Sequence, residues 1–274
     1  MWFDNHVHME HGPYTPLEYP VSWLEQFLDV GRSRGVTGLG IVEHAYRFTE
    51  AAGLLPGEWA RQRCRYPLAG YTAFLDAIRG SYPLAAGLEM DFVPENEDGI
   101  RAFLGRYPWD FVLGSIHFLD DFGLDVSEMQ GQYFQRTSEE IWTQYYDYSM
   151  RAAASGLFQA ITHPDLPKIY GFEKPPEEFL IPLYQRFVEV LADTGVALEI
   201  NTAGLRRPVK EIYPHPTLLS LAAQSHVAVS FASDAHEPEN VGLYFAEAQR
   251  LAHEAGFREM SFFGPQGTGH ITIS

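Results

Sequence analysis

Short apolar runs alternate with longer amphipathic stretches along this chain. The apolar runs predict seven strands, over 2–8, 36–44, 82–91, 110–118, 157–165, 196–204 and 226–236, and leave room for an eighth over 258–263. Most of these runs are apolar on both faces of the strand, which is typical of the buried strands of a parallel sheet.

The stretches between the strands have helical periodicity. They cover residues 20–35, 70–80, 97–107, 138–156, 176–195, 216–225 and 238–256. Several end in glycine, the favoured residue just past a helix C-terminus. Strands that alternate with helices pair in parallel through helical crossovers. Seven or eight such units predict a closed or nearly closed α/β barrel, and without a Gly/Ser-rich linker residues 1–274 are expected to form one domain.

Polar residues follow the predicted strands. They are His6 and His8, Glu43 and His44, Glu89 and Asp91, His117, His163 and Asp165, Asn201, and Asp234 and His236. In an α/β barrel the C-terminal ends of the strands share one face, where active sites lie. Residues far apart in the sequence are therefore expected to converge at one mouth.

The spacing of two histidines at the start of the chain indicates how a metal ion would be held. A strand has a side-chain period of two, so His6 and His8 point to the same side. The same spacing relates Asp234 and His236. With Glu89, these two pairs can surround a divalent cation, and the other histidines allow a second cation with Glu89 bridging the two. A lone strand-end histidine is more often a packing residue, so the prediction depends on the whole set.

Composition and charge narrow the kind of site. Cys64 is the only cysteine, which excludes a disulfide within the chain and a thiolate-rich zinc site. Ligands from His, Asp and Glu suit Zn, Mn or Fe better than Mg. The net charge of −17 disfavours long nucleic acids and anionic membranes as partners. No apolar run is long enough for a transmembrane helix and no signal peptide is recognisable, so a cytoplasmic protein is expected.

The motifs, taken in order, resemble the PHP (polymerase and histidinol phosphatase) family. They are HVH, EH, GLEMD, GSIHF, THPDLPK and SDAH, while NTAGLRRPVKEIYP and SDAHEPENVG resemble its histidinol-phosphatase-type branch. The resemblance covers nearly the whole chain. It implies a distorted seven-stranded (β/α) barrel similar to a TIM barrel, two or three divalent metal ions in its mouth, and the hydrolysis of phosphate esters.

The resemblance also implies a set of ligands for each ion. The first ion would be held by His6, His8, Glu89 and Asp234. The second would be held by Glu89, His117 and His163. A third would be held by His44 and His236 with one more ligand from the loop after the first strand.

That loop departs from the family pattern. Related phosphatases often carry a longer segment there that ends in a histidine, whereas here His11 comes three residues after His8. Either His11 or Glu10 serves as the ligand, or the third site is weak or empty. Glu43 also takes the place of the more frequent aspartate before His44.

Phosphate ester hydrolysis needs a nucleophile, an acid and positive charge. The expected nucleophile is a hydroxide bound to the metal ions, and no nucleophile elbow or P-loop is present. Asp234 or His236 would protonate the leaving group. Arg206, Arg207 and Lys168 follow strands at the mouth and are predicted to bind phosphate. For each of these three, pairing with a carboxylate or exposure to solvent is the alternative.

The expected activity is that of a metal-dependent phosphomonoesterase acting on L-histidinol phosphate in histidine biosynthesis. The amine and imidazole of that substrate would need partners, for which the candidates are Tyr14, Tyr46, Phe48, Phe92, Phe118, Asp120, Asp121 and Tyr170. The acidic loop 118–126 either covers the mouth or is solvated. Two alternatives lie within the family, a phosphodiesterase or nuclease on small nucleotides and a protein-tyrosine phosphatase. A non-catalytic metal-binding barrel is a third, disfavoured by the nearly full set of ligands.

Overall fold

The computed structural model describes residues 1–10 and 19–273. The strands over these residues are β1 (Trp2–Val7), β2 (Val36–Ile41), β3 (Leu84–Asp91), β4 (Phe111–Ser115), β5 (Phe118–Leu119), β6 (Phe122–Gly123), β7 (Ala160–Ile161), β8 (Ala197–Asn201), β9 (Val229–Ala232), β10 (Glu259–Gly264) and β11 (Gly267–Thr272). The α-helices are α1 (Val21–Ser33), α2 (Gly57–Arg63), α3 (Leu68–Ile78), α4 (Glu97–Leu104), α5 (Ser138–Ala154), α6 (Glu177–Thr194), α7 (Pro216–Gln224) and α8 (Phe245–Ala255).

The main sheet is a parallel array in the order β1-β2-β3-β4-β7-β8-β9, to which β10 and β11 are added. β10 pairs with β9 in parallel and with β11 as an antiparallel hairpin. β5 and β6 form a separate two-stranded hairpin after β4. Parallel neighbours need crossover connections, and the helices supply them.

β1, at one end of the parallel array, and β9 meet at one seam. Val7 and Ala235 form a parallel bridge there, and the His8 amide donates to the Ala235 carbonyl at 2.8 Å. The described residues show no continuous backbone ladder between these two strands. The sheet therefore curves around until its ends touch, which is the distorted (β/α) barrel that the sequence predicts.

The side chain of a buried asparagine, Asn5, forms hydrogen bonds across this seam. Asn5 Nδ2 donates to the carbonyls of Phe231 on β9 and Ser261 on β10, both at 3.2 Å. Asn5 Oδ1 accepts from the amide of Phe263 at 3.0 Å. One side chain thus joins three strands where backbone pairing is incomplete.

Local sequence signals set several helix ends. Thr137 caps α5 in a capping box, in which the Glu140 amide donates to Thr137 Oγ1 at 3.2 Å and the Thr137 amide donates to Glu140 Oε2 at 2.8 Å. Gly195 ends α6 with a φ of 72°, a left-handed conformation that glycine adopts at little cost.

Each predicted strand overlaps an observed one, and the first seven are shorter than predicted. Six of them end before their predicted C-terminus, because the polar residues there turn into the loops of the mouth, whereas β3 begins two residues later than predicted and ends at Asp91 as predicted. The pattern missed α2 and the strands β5, β6 and β11, since these elements are too short or too exposed to show a clear period. No helix in the described part of the chain is both long and apolar enough to cross a bilayer. The prediction that residues 1–274 form one domain stays a prediction.

Replacing Asn5 with alanine should destabilise the barrel at its seam. The change leaves three buried backbone groups without their partner, and each such group costs about 1–3 kcal/mol. We therefore expect the free energy of unfolding to fall by about 3 kcal/mol or more in urea denaturation. The control Gln26→Ala removes an exposed helix amide and should change stability by less than about 0.5 kcal/mol. Equal stability of the two variants would contradict this role for Asn5.

Candidate metal centre

The carboxylate of Glu89, near the end of β3, is buried and surrounded by imidazoles. Its Oε2 lies 3.3 Å from His6 Nε2, 3.4 Å from His8 Nε2 and 3.2 Å from His44 Nε2. Asp234 joins this side of the group, with Oδ1 3.8 Å from His6 Nε2 and 3.6 Å from His8 Nε2. Residues from β1, β3 and the loops after β2 and β9 therefore present ligand atoms to one region.

The other oxygen of Glu89 faces a second group. Its Oε1 lies 3.6 Å from His117 Nε2 and 3.3 Å from His163 Nε2, and it accepts a hydrogen bond from Ser115 Oγ at 2.5 Å. Asp91 Oδ1 orients His117 on the side of the ring away from Glu89. It lies 3.0 Å from His117 Nδ1 and accepts a hydrogen bond from the His117 amide at 3.1 Å. Glu89 thus lies between two groups of histidines, as a bridging carboxylate would.

A third group lies beside the first. Glu10 Oε1 is 3.3 Å from His236 Nε2 and 3.9 Å from His44 Nδ1. The other oxygen of Glu10 is paired with the buried guanidinium of Arg47. His11, the other candidate from this loop, lies outside the described residues. Glu10 is therefore the loop residue that the structure brings to His44 and His236.

The donor set fits a divalent transition metal. In each of three sets of residues, the ligand atoms lie within 4.8 Å of one another. The sets are His6 with His8 and Asp234, His44 with Glu89 and His117, and His8 with His44 and His236. Glu89 Oε2 is buried and has no hydrogen-bond partner among the described residues. A buried carboxylate oxygen without a hydrogen bond is costly, and imidazole nitrogens with carboxylates are ligands that Zn, Mn and Fe accept.

The charge states of these groups follow from burial and from their neighbours. Burial opposes the charge on Glu89, but His6, His44 and His117 lower the pKa of its carboxyl well below the usual value. Burial lowers the pKa of His8 well below its usual value and that of His44 to about 4. Burial opposes a charge on His117, but Asp91 and Glu89 raise its pKa to about 10. Ionised carboxylates and neutral imidazoles are the forms that bind metal, so a metal ion at His117 would displace a proton from that ring.

Glu199, on β8, is a buried carboxylate that the sequence analysis missed. Its Oε2 accepts from His6 Nδ1 at 2.9 Å, and its Oε1 accepts from the His163 amide at 3.1 Å and from Asn201 Nδ2 at 2.8 Å. Burial opposes a charge on His6, but Glu199 and the other carboxylates raise the pKa of His6 well above its usual value. Glu199 accepts the Nδ1 proton, so in the neutral form of His6 the lone pair is on Nε2, which faces Glu89 and Asp234 and could bind a metal ion. The available signal was an acidic residue inside the otherwise apolar strand VALEIN.

A cavity of about 670 Å³ opens over the metal-binding groups. Its wall includes Tyr46, Trp59, Asp125, Arg206, Arg207 and Tyr213. The Arg206 guanidinium donates from one terminal nitrogen to the carbonyls of Ser233 at 2.6 Å and Asp234 at 3.0 Å. Its other terminal nitrogen is buried and has no partner among the described residues. Two of the three predicted phosphate-binding residues, Arg206 and Arg207, are thus brought to the cavity.

Lys168 is not brought there. Its ammonium lies 2.9 Å from Asp165 Oδ2 and 3.2 Å from Glu211 Oε2, and it donates to the Ile212 carbonyl at 2.9 Å. Three acceptors occupy the three N–H donors of the ammonium. The structure therefore gives Lys168 an internal ion-pairing role, which was the alternative, and gives no support to phosphate binding by this residue.

The predicted partners for an amine and an imidazole are only partly on the cavity wall. Tyr46 lines the cavity and Tyr14 lies outside the described residues. Among the described residues, the wall does not include Phe48, Phe92, Phe118, Asp120, Asp121 or Tyr170. Trp59 and Asp125 lie there instead. Trp59 was missed because α2 is too short for a clear period, and Asp125 because the loop 118–126 offers three aspartates that sequence cannot rank.

Comparison with known proteins relates the chain to one family. Residues 21–203 match the family model described as PHP domain. A probable histidinol-phosphatase of Deinococcus radiodurans is 34% identical over 264 residues, which cover 94% of this chain and 95% of that protein. The histidinol-phosphatase of Bacillus subtilis is 27% identical over 262 residues, which cover 87% of this chain and 95% of that protein.

Solved structures show the same fold. The crystal structure of histidinol phosphate phosphatase from Lactococcus lactis, complexed with Zn, L-histidinol and phosphate, matches with a TM-score of 0.77 and 21% identity over 98% of both chains. A putative histidinol phosphatase of Listeria monocytogenes matches with a TM-score of 0.72 and 20% identity over 89% of this chain and 98% of that one.

Replacing Glu199 with glutamine should weaken metal binding without exposing the site. The amide keeps the shape of the side chain but removes the charge that holds His6 with its proton on Nδ1. We expect zinc affinity, measured by competition with a chromogenic chelator, to fall about 10–100-fold. Glu254→Gln, which changes an exposed carboxylate paired with Arg250, is the matched control. Zinc affinity equal to that of the unaltered protein would show that Glu199 does not orient His6.

Proposed function

The chain belongs to the PHP domain family, and we propose on this premise that it is a metal-dependent phosphatase that hydrolyses L-histidinol phosphate to histidinol and phosphate. The observation that carries the proposal is the bridging position of Glu89 between two groups of histidines, beneath a cavity that two arginines line. The names of the relatives from Deinococcus radiodurans and Bacillus subtilis support the substrate.

The ligand sets of the proposal follow the geometry around Glu89. One ion is assigned to His6, His8, Glu89 and Asp234. A second is assigned to Glu89, His117 and His163. A third would take His44, His236 and Glu10. Zinc in the Lactococcus lactis structure supports zinc here, and Mn or Fe would fit the same donors.

Divalent ions at such sites neutralise charge on a phosphoryl group and lower the pKa of bound water towards neutrality. The chain's own residues supply the rest of the chemistry. Arg207 is exposed on the cavity wall, and one terminal nitrogen of Arg206 is unpartnered among the described residues, so both can bind phosphoryl oxygens. The remaining hydrogen bonds of Arg206 hold the backbone at Ser233 and Asp234.

Protonation of the leaving oxygen is assigned to the loop after β9. His236 and Asp234 both line the cavity. His236 is the better placed of the two, since 35% of its side chain is exposed against 15% for Asp234. Glu10 lies 3.3 Å from His236 Nε2 and can hold a proton on that ring only while the third metal position is empty, because a nitrogen bound to a metal ion carries no proton.

The rest of the chain is consistent with one catalytic unit. The family match ends at residue 203, yet Asp234 and His236 lie beyond it and converge with His6 and His8. This convergence supports the proposal that residues 1–274 are one domain. A net charge of −17 favours a small phosphate ester over long nucleic acids as substrate. Histidine biosynthesis follows from the proposed substrate, and a cytoplasmic location stays a prediction.

The direct test is phosphate release from L-histidinol phosphate by protein loaded with Zn or Mn. Chelation should abolish turnover, and metal return should restore it. Asp234→Asn removes a charged ligand and should lower kcat/KM by at least about a hundredfold, whereas Asp193→Asn on the exposed end of α6 should not. Turnover that survives complete metal removal would refute a metal-dependent mechanism. Metal-loaded protein that releases no phosphate would refute the substrate.

The arginines can be tested by their effect on phosphate itself. Arg207→Ala should raise KM for L-histidinol phosphate about 10–100-fold, because it removes charge-assisted hydrogen bonds to phosphoryl oxygens. Inorganic phosphate should weaken as a competitive inhibitor by a similar factor. Arg186→Ala, on the exposed side of α6, is the control and should change neither value. Unchanged inhibition by phosphate in Arg207→Ala would remove Arg207 from the phosphate site.

A further inference from the structure

Tyr213, in the loop after β8, has a buried hydroxyl group that the proposed chemistry does not use. The residue lines the cavity above the metal-binding groups, and only 1% of its surface is exposed. Its Oη has no hydrogen-bond partner among the described residues. A buried hydroxyl without a partner costs free energy, so such a group beside a cavity is available to a polar atom of a ligand.

Other buried tyrosines of this chain differ from Tyr213 in one of these two respects. The hydroxyl of Tyr145 has a partner, since it donates to the His163 carbonyl at 3.0 Å. The hydroxyls of Tyr19 and Tyr170 are buried and have no partner, but neither residue is on the cavity wall. Over the described part of the chain, Tyr213 is the one tyrosine that combines a buried hydroxyl lacking a partner with a position on that wall.

The backbone and the ring of Tyr213 are held in place. The Tyr213 amide donates to the Asn201 carbonyl at 2.9 Å, and its carbonyl accepts from the Asn201 amide at 2.8 Å. The Lys168 ammonium lies 5.2 Å from the centroid of the ring. Gly204 leaves space for the ring, because a Cβ there would lie 2.9 Å from Tyr213 Cε2. A ligand atom that meets this hydroxyl therefore orders little that is not already ordered.

The hydroxyl of Tyr213 lies among the charged groups of the mouth. Its ring centroid is 6.3 Å from that of His163, with the two planes at 70°. Burial raises the pKa of the Tyr213 hydroxyl well above its usual value and Asp165 raises it further, whereas Arg207 acts in the opposite direction. The hydroxyl thus keeps its proton at neutral pH, and it is near enough to Arg207 to respond to that charge.

A protonated hydroxyl in this position suits an anionic oxygen. Hydrogen bonds to an ionised acceptor are stronger than those between neutral groups. Arg206 and Arg207 lie on the same wall, and one terminal nitrogen of Arg206 is a second buried donor without a partner among the described residues. Donors that all lack an acceptor within the protein, grouped beside the metal-binding residues, fit a tetrahedral oxyanion with several equivalent oxygens.

We infer that the Tyr213 hydroxyl donates a hydrogen bond to a phosphoryl oxygen of the substrate, beside Arg206 and Arg207. The inference rests on the proposed function, because it concerns the phosphate end of the substrate proposed there. It makes Tyr213 a substrate-binding residue that acts on the phosphoryl group whatever alcohol is esterified to it. A hydrogen bond from a buried neutral donor to a phosphate anion accounts for about a 10–100-fold effect on affinity.

The test is Tyr213→Phe in the zinc-loaded protein, which keeps the ring and removes only the hydroxyl. The inhibition constant of inorganic phosphate should rise about 10–100-fold, and kcat/KM for L-histidinol phosphate should fall by a similar factor. Inhibition by L-histidinol, which has no phosphate, should stay within about twofold. Tyr184→Phe, a buried tyrosine of α6 that is absent from the cavity wall, is the matched control and should change none of the three values.

A purely structural role for the hydroxyl predicts a different result. Because Tyr213 Oη has no partner in the described residues, its removal should not lower the urea midpoint of the metal-free protein. A lower midpoint, with inhibition by phosphate and by L-histidinol weakened alike, would show that the hydroxyl supports the fold and that the inference is wrong. Unchanged inhibition by phosphate in Tyr213→Phe would also overturn it.

A failure of the proposed function is recognised separately. If the unaltered protein does not hydrolyse L-histidinol phosphate, that substrate is wrong, and the binding of inorganic phosphate to the zinc-loaded protein still tests Tyr213 by isothermal titration calorimetry. A dissociation constant that rises about 10–100-fold in Tyr213→Phe supports the inference. Equal affinity of the two proteins, or no binding of phosphate to the unaltered protein, overturns it.

Discussion

A buried carboxylate in the barrel mouth has to be balanced by opposite charge, and much of this structure is arranged around that requirement at Glu89. Transferring an unpaired carboxylate into a protein interior is strongly unfavourable. Five imidazoles meet its two oxygens, and they come from β1 and from the loops after β1, β2, β4 and β7. Further carboxylates then orient those imidazoles from behind. The resulting set of carboxylates and imidazoles fits divalent cations.

The seam between β1 and β9 brings further candidate metal ligands close to Glu89. His6 and His8 stand on one side of it, and Asp234 on the other. Asp4 crosses the seam as well, accepting hydrogen bonds from the Ser233 amide at 2.9 Å and the Gly242 amide at 3.0 Å. Side chains and single bridges hold these strands in place of a regular ladder. That irregularity lets the two halves of the first ligand group approach each other.

Two ligand candidates also have unfavourable backbone conformations. His163 has a φ of 27° and Asp234 a φ of 51°, values that residues with a Cβ rarely adopt. Strain of this kind persists only where the surrounding structure imposes it, and it concentrates at functional sites. At Asp234 the backbone carbonyl accepts from Arg206 at 3.0 Å, so the cavity arginine and the ligand loop support each other.

Local sequence was sufficient for the parts of this protein that depend on local geometry. The alternation of apolar strands and helices indicates the barrel, and the strand period of two places His6 and His8 on one side. The C-terminal ends of parallel strands share a face, so the convergence of Glu89, His117 and His163 could also be expected. Only the tertiary structure showed that Glu199 orients the ring of His6 and that Asp165 and Glu211 form ion pairs with the ammonium of Lys168. It alone also showed that Asp125 lines the cavity. The partner of a buried charged side chain comes from a segment that is distant in the sequence and packs against it in the fold. The periodicity of the sequence therefore cannot predict which residue that partner is.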